Sequence, residues 1–92
     1  MKTEAQKLAN KAINDVKGGF GYLNNNTLEY LAYGYLAEDL VFVNDAATRS
    51  LFELGLDHEV VQRELNKRRA EALVLYTEAI ALVHKYFNKE DQ

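Results

Sequence analysis

The chain offers little of the usual reactive chemistry. It has two histidines, no cysteine and a single serine, Ser50, in 92 residues. His58 and His84 stand 26 positions apart on what reads as one helix. That is about 39 Å at 1.5 Å per residue, so the two cannot share an ion within one chain. His58 is expected to be solvated beside acids. His84 sits near a helix C-terminus, where the dipole favours a cation. No Glu-x-x-His pair of the di-iron bundle type occurs. The run Gly18-Gly19-Phe20-Gly21 is glycine-rich, but it follows a helix and lacks the lysine and hydroxyl of a phosphate loop, so a cap and turn explain it better. Glu38, Asp39 and Asp45 have the side chains of a general acid–base pair; solvation and capping are their simpler roles. No catalytic residue, cofactor or metal is therefore expected, and a small-molecule or metal-handling bundle is the remotest of the readings.

Charge and aromatic content say more. The net charge of −3 selects no partner, but its distribution is uneven. From Phe20 to Gln62 the only base is Arg49, set against Glu29, Glu38, Asp39, Asp45, Glu53, Asp57 and Glu59. Arg63, Lys67, Arg68 and Arg69 then crowd into seven positions, which polarises the molecule. The stretch TRSLFELGLDHEVVQRELNKRR has the outline of a helix-turn-helix. A recognition helix meets bases near its N-terminus, however, and here Asp57 and Glu59 would repel phosphate there. Glu59 with Arg63 and Glu64 with Arg68 are spaced as i, i+4 ion pairs of a solvated face, each worth a few tenths of a kcal/mol. The chain has six tyrosines, and Tyr22, Tyr30, Tyr33 and Tyr35 gather near one segment. Successive helical residues are about 100° apart, so these cannot all face inward. Tyrosine suits partner surfaces because it couples apolar area to a polar tip. The expectation is a protein-interaction module, such as a small inhibitor, adaptor or regulatory protein, that binds another protein through Tyr22, Tyr30, Tyr33, Glu38 and Asp39. The rival is a DNA- or RNA-binding regulator using Arg63, Lys67, Arg68 and Arg69.

The elements that would position these residues read as an all-α chain: a small, irregular antiparallel bundle of about four helices forming one domain. Ala5, Leu8, Ala9, Ala12, Ile13 and Val16 recur at helical spacing from Thr3 to about Lys17. Thr3 and Gln6 form a capping box, and Gly18-Gly19 ends the helix. A second helix is predicted from a cap at Asn26 to about Val43, with Glu29 completing the cap. A short third runs from Ala46 to Leu54, capped by Asn44 or Asp45 and stopped by Gly55. The long fourth helix, Asp57 to about Asn88, starts with Asp57 as cap and Leu56 stapled on Val61; Lys89–Gln92 read as a frayed end.

Lacking cysteine, the chain cannot form a disulfide, which fits a reducing cytoplasm. Its start lacks the apolar core of a signal peptide, and its apolar runs fall short of the roughly 20 residues of a membrane span. The first two helices cover about 21 and 26 Å, against about 45 Å for the last. That mismatch predicts a homodimer in which Leu75, Leu82, Val83 and Tyr86 of the long helix contact a second chain.

Overall fold

The structure is a computed structural model that describes residues 1–89. Of the expected frayed end, residues 90–92 lie outside the described part. Among the described residues there are three helices: α1 (Glu4–Phe20), α2 (Asn25–Glu53) and α3 (His58–Asn88). There is no strand among the described residues.

α1 begins as its sequence predicts. The Thr3 hydroxyl accepts from the Gln6 amide at 3.1 Å, and the Gln6 side chain accepts from the Thr3 amide at 2.8 Å. Helix then continues through Gly18 and Gly19 to Phe20. The turn needs glycine at Gly21, where a Cβ would stand 2.6 Å from the Lys17 carbonyl oxygen.

The expected second and third helices are one. Asn24, two residues before the predicted cap, takes that role by accepting from the Thr27 amide at 2.9 Å. Helix then runs unbroken past Asn44 and Asp45 to Glu53. Between Gly34 and Gly55 the sequence has neither glycine nor proline to break the backbone. Asn and Asp cost only about half a kcal/mol each inside a helix. The Thr48 hydroxyl donates to the Asn44 carbonyl at 2.9 Å, as side chains can do one turn back without ending a helix. The real reversal is at Gly55, whose φ of 67° is the left-handed conformation that glycine adopts without strain.

α3 starts at the predicted place by another device. Asp57 occupies the N-cap position without a side-chain cap bond. Leu56 is exposed, while Val61 is buried with Leu51 of α2 and Leu65. Contact across the hairpin fixes this end.

α2 and α3 therefore form a hairpin whose arms are each about 45 Å long at 1.5 Å per residue, and α1 is little more than half that length. Because the turn after Phe20 reverses the chain, α1 lies beside the first half of α2 and the last half of α3. Ala9, Ala12, Ile13 and Val16 there meet Leu28, Ala32 and Leu36 of α2, and Tyr76, Ala79, Val83 and Phe87 of α3. Beyond the N-terminus of α1 the hairpin continues as two helices alone. Its buried cluster among the described residues is Leu51, Val61 and Leu65 near the tip. The molecule measures 51 × 24 × 22 Å accordingly. No helix among the described residues is long and apolar enough to cross a membrane.

Candidate functional site

The most developed polar arrangement joins α2 to α3 on the side away from α1. Glu29, 9% exposed, directs its carboxylate across the hairpin. Oε2 accepts from His84 Nδ1 at 2.9 Å and from the Tyr33 hydroxyl, and Oε1 accepts from Asn88 Nδ2 at 2.9 Å. Asn88 also donates to the His84 carbonyl at 2.8 Å. Tyr33 lies one turn beyond Glu29, and Asn88 one turn beyond His84, so each helix presents its pair on a single face. Burial pushes the Glu29 pKa up, but the bonds from Tyr33, His84 and Asn88, with the charge of His84, outweigh it and leave the carboxyl below its ordinary value. Burial and the bond to Glu29 hold the Tyr33 hydroxyl well above its usual range. Such a carboxylate is ionised and already engaged by three donors. It clamps α2 to α3. Nor does any set of three His, Asp or Glu residues among those described gather to hold a metal ion.

Sequence reasoning assigned Glu29 to a helix cap and His84 to the helix dipole. With Asn24 as the cap, Glu29 falls two positions further in and faces α3. The two i, i+4 pairs were visible in the sequence, but only the antiparallel register of the hairpin brings them together.

The expected tyrosine-bearing surface does not form one patch. Tyr22 is exposed in the turn between α1 and α2, and Tyr30 is exposed on α2, its ring edge-on to Tyr33 at 6.0 Å. Tyr33 is half-buried and bonded to Glu29. Glu38 and Asp39 border a groove toward α1 with Lys11 and Asp15. Nine residues separate Tyr30 from Asp39, which places them on opposite sides of α2 at about 100° per residue. Burial, and with it the charge of Asp39, raise the pKa of Tyr76 on α3.

Nor do the basic residues form one stripe. Arg63, Lys67, Arg68 and Arg69 are all exposed on the part of α3 that extends beyond α1. Lys67, Arg68 and Arg69 fan over about 200° of its circumference. Arg68 is paired with Glu64 at 3.3 Å, whereas Glu59 and Arg63 form no ion pair among the described residues.

The residues expected between two chains are engaged within one. Val83 is completely buried in the core. Leu75, Leu82 and Tyr86 pack against that core, and Tyr86 also accepts a hydrogen bond from the Lys17 amine and lies beneath it. The expected length mismatch holds for α1 alone, since α2 is nearly as long as α3, and α1 covers the C-terminal half of α3. The uncovered part is the other end of the hairpin, where Phe42, Phe52, Leu54, Leu56 and Val60 are exposed.

No family model, curated protein or solved structure matches the chain.

Proposed function

We propose that this chain is a non-enzymatic protein-interaction module that presents the far end of the α2–α3 hairpin to another protein. The observation that carries this reading is the tip. Phe52, Leu54, Leu56 and Val60 are exposed there, Leu54 at 66%. Exposed apolar groups collected at one end of a molecule are characteristic of binding surfaces. Glu53, Asp57 and Glu59 lie among them, so the matching surface is an apolar recess with a basic rim. The role is that of an adaptor, inhibitor or regulatory protein, and the acidic centre of the sequence serves it from the tip instead of from Glu38 and Asp39 in the middle of α2.

Nucleic acid binding through Arg63, Lys67, Arg68 and Arg69 is the rival that the test must separate. Native extract should be passed over the immobilised chain, its Leu54→Glu variant and a variant with Arg63 and Arg69 changed to Glu. A bound protein retained by the wild type and the double variant but lost with Leu54→Glu supports the tip. Salt-sensitive retention of nucleic acid, lost only in the double variant, overturns it.

A further inference from the structure

α2 carries a second uncovered face, on the side away from α1. Tyr30, Gly34, Ala37 and Val41 follow one another at helical spacing, and all four are exposed, Tyr30 at 67% and Val41 at 61%. Ile80 and Leu73, one and three turns before His84 on α3, flank the same side, because His84 is the residue of α3 that meets Tyr33. Gly34 is unexplained within the chain. It lies mid-helix, where glycine is unfavourable, and a Cβ added there would meet nothing within 4 Å.

We infer that a second copy of this chain docks on this face, with the two α2 helices antiparallel and crossing between Gly34 and Ala37. A two-fold contact must be self-complementary, each residue meeting the counterpart of the residue it serves. The spacing of Tyr30, Gly34, Ala37 and Val41 is symmetric about the midpoint between Gly34 and Ala37. In an antiparallel pair, Tyr30 therefore meets the partner's Val41 and Gly34 meets the partner's Ala37. Small residues at the crossing let the two backbones approach closely, which gives Gly34 its reason.

The exposed area can be set against what a dimer needs. Tyr30, Val41, Leu73 and Ile80 expose on the order of 400 Å², as large as the main apolar patch of a typical monomer. That is about half of the roughly 800 Å² per partner in a standard interface, with the intervening residues left to supply the rest.

This contact is distinct from the hairpin tip, and its test needs only the purified chain, so either reading can fail alone. Sedimentation equilibrium at micromolar concentration should give twice the 10.5 kDa chain mass. Ala37 is exposed, so Ala37→Glu should keep its helical circular dichroism while weakening the dimer at least about tenfold. The absence of native cysteine makes the orientation readable as well. Gly34→Cys and Ala37→Cys, mixed and oxidised, should cross-link to each other far more than either does to itself. A wild-type monomer over that concentration range, an Ala37→Glu dimer of unchanged affinity, or preferential self-linking of Gly34→Cys would each overturn the proposal. So would capture of a different protein on this face by a wild-type chain that stays monomeric.

Discussion

Replacing Glu29 tests whether the polar clamp holds the hairpin in register. Glu29→Ala removes the acceptor for three donors, but their losses differ. His84, with 64% of its side chain exposed, can turn to water, whereas the half-buried Tyr33 hydroxyl keeps only its longer, 3.4 Å contact with His84 Nδ1. A hydrogen bond to a charged group is worth about 1.5–3 kcal/mol, and an exposed donor recovers most of its share from solvent, so the expected loss at pH 7 is about 2–3 kcal/mol. For a domain of this size that is a fall of roughly 10–20 °C in the melting midpoint.

The sign of the pH dependence follows from the lowered carboxyl pKa. The unfolded chain takes up the Glu29 proton first, near its ordinary value of about 4.3. The stabilisation is complete above that value and is lost as pH falls through the lower folded value. Urea unfolding of the wild type and Glu29→Gln, followed by circular dichroism, should show a gap at pH 7 that narrows toward pH 3. A constant gap, or a Glu29→Ala variant within about 0.5 kcal/mol of wild type at pH 7, would refute the clamp.

The helix starts should respond unequally: Asn24→Ala should cost about 1 kcal/mol in urea unfolding, while Asp57→Ala, whose side chain makes no cap bond, should stay within about 0.5 kcal/mol. Leu36→Ala, in the three-helix core, should cost about 2–5 kcal/mol. Leu51→Ala should fall at the low end of that range, because its small cluster can collapse around the gap. Native-state hydrogen exchange should find amides of residues 44–50 and 62–72 opening more readily than those of 28–36 and 76–87; uniform protection would contradict a weakly packed hairpin end.

The start of α1 and the length of α3 were legible from local sequence, whereas α1 runs past its expected glycine stop and the start of α3 is held by contact across the hairpin. The capping box of Thr3 and Gln6 and an apolar period without interruption do not depend on the rest of the fold. Asn44 and Asp45 were misleading for a related reason. These residues cap helices well but also sit inside them at small cost, and only neighbouring packing chooses. Here Leu40 and Leu51, on either side of the pair, both face α3, and one continuous helix satisfies both. The run of three asparagines before Thr27 posed the same ambiguity. Its resolution at Asn24 moved Glu29 from the helix entrance to the interface.

The covered end of α3 is a matter of connectivity. A tight turn at residues 21–24 makes α1 antiparallel to the start of α2. The Gly55 turn makes the start of α2 antiparallel to the end of α3. α1 must then lie on the C-terminal half of α3, and the apolar residues there are consumed within the chain. What remains outside is a two-helix arm whose seam passes through half-buried Asn44, Ala47, Thr48 and Ala72 before reaching Leu51, Val61 and Leu65. Small and polar residues at that seam bury little area, so the arm gains little from folding on itself. Phe52, Leu54 and Leu56, each about half or more exposed, add little to its stability in the free chain. Their place at the far end of a weakly packed arm is accounted for if their apolar area is buried on binding.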